Sequence, residues 1–241
     1  MTDKPRPQQI DYKGHDVYFE IDENTSESLR MLAKELKVSM YSLLLSGYYL
    51  MLKAYSNQED IVLGSPVANR HYGQIENLIG FFINSLVLRI KIDSQLPLID
   101  FIQQVSVEVI DAQLHQDLPF EKLVEELGVV KDTSRHPIFQ IMFSVERFEK
   151  NIVNVADAGI NGANLIKISE VLEEYKTEEG LYNVAKFDLS TSIDDSEAKL
   201  YGSFNYAISL YEEKTIKGFI TTYGAWGAME QPTDLRSFYS S

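Results

Sequence analysis

The chain has 241 residues, enough for one large domain or two small ones and for a core that needs neither disulfide nor metal. It is 44% hydrophobic and 24% charged, an ordinary globular balance, and it has no cysteine. That excludes disulfides, thiolate chemistry and cysteine zinc sites, and it is compatible with a reducing, cytoplasmic setting. The net charge of −14 repels a phosphate backbone and an anionic bilayer, so neither nucleic acid nor membrane is expected as a partner, a local basic patch aside.

The opening MTDKPRPQQIDYKGH has no apolar core and is no signal peptide. Its prolines, Pro5 and Pro7, mark residues 1–14 as a linker entering from something upstream. DVYFEI alternates and reads as a strand. In NTSESLRMLAKELKV, Leu29, Leu32, Ala33 and Leu36 fall at helical spacing, with Asn24, Thr25 and Ser26 as candidate N-caps. YSLLLSGYYLMLKAY is too short and too polar, with Ser42, Ser46, Gly47 and Lys53, to span a bilayer, so it reads as a buried core helix.

Asp60–Val67 is a short apolar strand. Phe81–Ile90 is β-rich and apolar on both faces, which predicts a central strand. Leu98 to about Gln116 reads as a helix with Phe101, Ile102, Val105 and Val109 on one face. Phe139–Val145 is another strand, and 147–165 a polar loop region. KFDLSTSI and KLYGSFNYAI alternate around Asp194-Asp195-Ser196-Glu197 and predict a hairpin. Helices and strands are mixed throughout, without repeat or break, as in one α/β unit with helices layered on a sheet.

LHQDLPFEKLVEEL (Leu114–Leu127) is the most ambiguous stretch. Pro119 and Glu121 suit a first helical turn, Asp117 suits its cap, Phe120, Leu123, Val124 and Leu127 form an apolar stripe, and Gly128 suits a helix stop. Only His115 and Gln116 have no structural task on this pattern. His115 as a general base needs an orienting partner and a nucleophile within hydrogen-bond reach, and Asp117 is an unspecific candidate. Both readings stand on pattern alone. His15, His71 and His136 are isolated, and there is no metal-ligand spacing, Walker A, G-x-G-x-x-G or G-x-S-x-G motif.

Three stretches occur together and in order: IGFFINSLVLR (Ile79–Arg89), HQDLPFE (His115–Glu121) and KDTSRHPIFQIMFS (Lys131–Ser144). They resemble the last three core motifs of the condensation domains of non-ribosomal peptide synthetases. EDIVLGSPVANR (Glu59–Arg70) and TDKPRP are similar to that family as well, and the resemblance covers roughly residues 2 to 223. It implies a chloramphenicol acetyltransferase-like layered α/β sandwich, with two lobes in a V around a tunnel. The family carries its base in an HHxxxDG motif of the N-terminal lobe. This sequence has no His-His pair, so the expectation is a single C-terminal lobe over residues 15–223. That lobe would have no catalytic residue of its own, would hold no metal and would be inactive alone.

The resemblance further implies amide formation between a donor aminoacyl or peptidyl thioester and an acceptor aminoacyl thioester, in peptide antibiotic biosynthesis. The phosphopantetheine arms belong to partner carrier proteins. Expected partners are the N-terminal lobe, peptidyl carrier proteins and an adjacent adenylation domain, with self-association of the orphaned face. The alternative is a non-catalytic module that docks a carrier protein or adenylation domain. A free-standing CoA-dependent acyltransferase is disfavoured by the missing HHxxxDG.

By position, Ser65, Asn84, His115 and Gln116 would lie on the substrate-tunnel or acceptor side, His115 as a polar wall residue and not the base. Arg70 resembles the arginine that meets the HHxxxDG aspartate across the lobe interface, and Arg89, Asp117 and Arg135 would be interface or structural residues, Arg89 in an ion pair. SLYEEKTIKGFITTYG resembles the family's closing helix. Residues 224–241 depart from it, since Gly224 and Gly227 lower helix propensity. Trp226 in that atypical tail is expected to be exposed.

Overall fold

A computed structural model of the chain describes residues 2–68, 83–147 and 183–227. Arg70, the start of the Ile79–Arg89 motif, most of the 147–165 loop and the tail from 228 lie outside the described residues. Seven strands make one sheet: β1 (Lys13–Ile21), β2 (Asp60–Val67), β3 (Asn84–Lys91), β4 (Ile141–Glu146), β5 (Asn183–Val184), β6 (Leu189–Asp194) and β7 (Leu200–Ala207). Their spatial order is β3-β2-β4-β6-β7-β1-β5. β4 pairs in parallel with β2 and β6, and every other pair is antiparallel.

The helices are α1 (Glu23–Leu36), α2 (Met40–Ser56), α3 (Leu98–Leu114), α4 (Phe120–Glu126) and α5 (Glu213–Gly227). α2 packs against α1, α3 and α5 as well as β2 and β4. It is therefore surrounded, with Leu43–Leu52 buried almost without interruption, which is why its sequence is apolar all round. Among the described residues no helix is long and apolar enough to cross a membrane. Tyr48 of α2 stacks on Phe143 of β4 at 4.9 Å and accepts a hydrogen bond from Thr191 Oγ1, while Tyr49 donates to the Leu88 carbonyl at 3.1 Å. These buried hydroxyls find partners, as a tightly packed core requires.

The hairpin is as the alternation predicts. Leu189, Thr191 and Ile193 of β6 and Leu200, Gly202, Phe204 and Tyr206 of β7 are buried, and Thr191 pairs with Phe204. Other expectations need correction. β3 lies at a sheet edge among the described residues, not at its centre. Its burial alternates, with Leu86, Leu88 and Ile90 inward and Arg89 outward. β4 begins at Ile141 and not Phe139, because Ile138 takes a left-handed φ of 66° and breaks the extended chain. α1 is capped by Asp22, whose Oδ1 accepts from the Thr25 amide at 3.0 Å, rather than by Asn24, Thr25 or Ser26.

The opening segment, expected as a linker, is bound to the lobe. The Asp3 carboxylate accepts from the Glu212 amide and the Thr215 hydroxyl, next to the start of α5. Arg6 forks onto Asp188 and also donates to the Ser134 carbonyl. Ile10 and Gln8 exchange hydrogen bonds with Thr133. At the other end, α5 continues past Tyr223, and Trp226 is 5% exposed, which overturns the expectation of an exposed tryptophan. Gly47 of α2 makes this close approach: a Cβ there would meet the indole at 2.2 Å. The absence of a side chain on α2, far away in sequence, is what gives Trp226 its seat.

Candidate functional site

The ambiguous HQDLPFE stretch is shaped by one distant side chain. Asn84, at the start of β3, donates both amide protons, to the carbonyls of Gln116 and Leu118 at 2.8 Å each. Its Oδ1 accepts from the Phe120 amide at 3.1 Å and from the Ser85 amide at 2.9 Å. Asn84 thereby satisfies the N-terminal N–H of α4, a task the sequence pattern assigned to Asp117, while the preceding Pro119 supplies no side-chain cap bond. All four of its hydrogen bonds go to backbone, so Asn84 shapes the motif instead of facing a ligand.

The stretch also departs from its apolar stripe. Among its described residues α4 has none buried, and Leu127 is 61% exposed. Gly128 does close the helix with a φ of 59°.

His115 is exposed at the end of α3. Its Nδ1 lies 2.8 Å from the Asp111 carbonyl. A carbonyl only accepts, so Nδ1 carries a proton and any basic nitrogen is Nε2. Gln116 is half-buried and is held through its backbone by Asn84.

Beside this motif lies an open groove of about 710 Å³ between α2, the end of β2, the start of β3, α3 and β4. Val67, Ile83, Leu86, Val109 and Val145 give it apolar walls, and Tyr41, Ser65, Gln113, Ser144 and Glu146 are its polar groups. Ser65 is 4% exposed, and its Oγ accepts a hydrogen bond from the Tyr41 hydroxyl at 2.7 Å. Tyr41 is the second residue of α2, which Ser39 caps, and its ring rests on Phe143 of β4. Burial pushes the Tyr41 phenol up to about 12, and the bond to Ser65 offsets part of that shift. Gly64, next to Ser65, leaves room for the Phe139 ring, which a Cβ would meet at 2.2 Å. Asn84 opposes Val67 in the β2–β3 register, so the clamp on HQDLPFE stands at the mouth of this groove.

Of the residues expected on the tunnel side, Ser65 lines the groove, and Asn84 adjoins it through Ile83. The α3 terminus contributes Gln113 to the wall rather than His115. Arg89 forks onto Asp60 at 2.8 and 2.6 Å on the open strand face and holds that carboxyl below its usual range. Arg135 pairs with Asp132 at 2.9 Å within its own loop. Asp117 is exposed. Among the described residues no group of histidines and carboxylates is arranged to hold a metal ion. Sequence reading missed Tyr41, Gln113, Ser144 and Glu146. Nothing in their local pattern distinguishes them from surface or core positions, and only the packing of α2 and α3 on the sheet brings them together.

Comparison with known proteins fits this arrangement. The condensation domain family model matches residues 1–226. The chain is 40% identical over 221 residues to N-(5-amino-5-carboxypentanoyl)-L-cysteinyl-D-valine synthase of Amycolatopsis lactamdurans, covering 92% of this chain and 6% of that protein. It superposes on a four-domain non-ribosomal peptide synthetase, holo-AB3403 bound to AMP and glycine, with a TM-score of 0.79 and 23% identity over 94% of this chain and 17% of the other. It superposes on the first condensation domain of the CDA synthetase with a TM-score of 0.72 and 13% identity, over 97% of this chain and 48% of that one. It thus spans a small fraction of the curated synthase and about half of a solved condensation domain. The chain belongs to the condensation-domain family of the non-ribosomal peptide synthetases and corresponds to one lobe of that fold.

Proposed function

We propose that this lobe forms the acceptor-side wall of a condensation site that joins a donor aminoacyl or peptidyl thioester to an acceptor aminoacyl thioester, both held on carrier-protein phosphopantetheine. The observation that carries the reading is the family match over residues 1–226 together with the groove beside the HQDLPFE motif. The acceptor amine attacks the donor carbonyl carbon, a C–N bond forms, the C–S bond breaks, and the departing thiol takes up the proton the amine gives up. This chain's part is to bind and orient. Its apolar groove excludes water from one side of the reacting atoms, Ser65 offers a hydrogen bond there, and Asn84 fixes the HQDLPFE turn at the mouth. Holding two tethered reactants in one geometry is worth several powers of ten in rate.

His115 and Gln116 are polar residues at the rim in this reading. Arg89, Asp117 and Arg135 keep structural roles, and Arg70, outside the described residues, keeps the lobe-interface role that its resemblance to the family gives it. No HHxxxDG occurs in these 241 residues. Amide formation therefore needs a lobe that carries it, and the lobe described here has no condensation activity by itself. The partners are that lobe, two carrier proteins and a neighbouring adenylation domain. The test is reconstitution: mix the chain with a lobe bearing HHxxxDG and two loaded carrier proteins, and follow the amide product by mass spectrometry. Product that forms only when both lobes are present supports the reading. A complete lobe pair that yields none would sink it.

A further inference from the structure

We infer that Gln140 is a positioning residue: its side chain staples a strained turn at Ile138, and that turn seats the Phe139 ring between β2 and the HQDLPFE motif. The inference rests on the proposed function and deepens it, since the seated ring is what keeps the motif beside the groove. The Phe139 amide donates to the Pro137 carbonyl at 2.8 Å, which closes a three-residue γ-turn around Ile138 at a φ of 66°. A β-branched residue in that region is an outlier, disfavoured by a factor of about 5 to 30 against its ordinary conformations.

The turn changes the face of the sheet on which Phe139 lies. Alternation continued back along β4 would set Phe139 with Phe143, which packs on Tyr48 of α2. Instead its ring covers Gly64, which is in register with Met142 and so belongs to the opposite face. There the ring meets Phe120 of HQDLPFE at 5.4 Å and Phe187 at 5.5 Å between centres. Phe120 is also the residue whose amide Asn84 holds, so the ring and the Asn84 clamp bear on the same helix start. A strained residue persists only where its surroundings over-determine it. Gln140 supplies the bond that spans the turn, with Nε2 donating to the His136 carbonyl at 3.0 Å. The segment 186–188 grips both ends: the Lys186 carbonyl takes the His136 Nε2 proton, and the Asp188 amide donates to the Gln140 carbonyl at 2.9 Å.

The test combines amide hydrogen exchange, read by NMR on the 241-residue chain, with amide formation by the reconstituted pair of lobes. In Gln140→Met the Phe139 and Phe120 amides exchange about fivefold faster, as loss of one neutral hydrogen bond predicts, while the core around α2 keeps its protection. The kcat for amide formation falls by a similar factor, and KM for the loaded carrier proteins is unchanged. Adding Ile138→Gly, which takes a positive φ without strain, brings exchange and kcat back to within about twofold of wild type. Adding Ile138→Val instead keeps the strain and restores neither. Faster exchange spread over the whole core, with no rescue by Ile138→Gly, makes Gln140 merely structural and overturns the inference. A kcat that stays at the wild-type value while exchange at Phe139 and Phe120 rises overturns it as well. Either result, with amide still made by the wild-type pair, leaves the broader functional reading standing. A wild-type pair that makes no amide refutes that reading, so the two failures are distinguishable.

Discussion

Replacement of Asn84 by alanine removes four hydrogen bonds at once: two donated to Gln116 and Leu118, and two accepted from Phe120 and Ser85. A neutral hydrogen bond contributes about 1 kcal/mol net, and a group left without a partner costs more only where water is kept out. Asn84 is half-buried, and Leu118 is 48% exposed, so water replaces part of what is lost. The expected destabilisation is about 2 kcal/mol, half of the simple sum. It should not be spread evenly. The amides of Leu118, Phe120 and Glu121 lose protection first, because the α4 N-terminus loses its cap while the core around α2 is untouched. Urea denaturation gives the total, and hydrogen exchange read by NMR gives the distribution. A variant that loses less than about 0.5 kcal/mol, the bottom of the range for a single bond, with the amides of Leu118, Phe120 and Glu121 as protected as before, would refute the clamp.

Other perturbations probe the frame. Gly47→Ala places a methyl group 2.2 Å from the Trp226 indole, so α5 must shift. The expected loss is about 1–3 kcal/mol, with a red-shifted fluorescence from the one tryptophan. Unchanged emission would mean that Trp226 is not packed on α2. Arg6→Met leaves Asp188 without its fork and should cost about 2 kcal/mol in urea denaturation. The further change Asp188→Asn should recover part of that loss, because the uncompensated carboxylate is then gone. Asp22 accepts the first-turn N–H of α1, so its carboxyl titrates below its usual 3.8. Its folded pKa is lowered, so its stabilisation is fully present above pH 3.8 and is lost as pH falls through the lower folded value. Amide exchange at Thr25 should rise in that window in the wild-type chain, and that acid-induced rise should be absent in Asp22→Asn.

Much of the fold was legible because its signals are local. Alternation gave the β6–β7 hairpin with its register of inward residues, and 3.6-residue spacing gave the buried face of α3. The misread positions share a cause. The burial of Trp226 depends on Gly47, and the cap of α4 depends on Asn84, 36 residues before Phe120. A pattern within ten residues carries no trace of either contact. β3 looked central because its apolar content is high, but sheet order is a tertiary property that composition does not encode. The motifs carried the family. The hydroxyl that donates to Ser65 comes from Tyr41 in the apolar run of α2, where a tyrosine has no reason to stand out before the helix is docked.

The central claim is that this lobe supplies a shaped groove and leaves the proton chemistry to the lobe that bears HHxxxDG. The most direct test uses the reconstituted pair of lobes with both carriers loaded, and compares two alanine substitutions. One replaces the second histidine of HHxxxDG in the supplied lobe, and the other is His115→Ala in this chain. The account predicts that the first abolishes amide formation and that the second lowers the rate by less than about tenfold, below the 10²–10⁴-fold expected for loss of a general base. A collapse of activity in His115→Ala, with the HHxxxDG substitution tolerated, would contradict it.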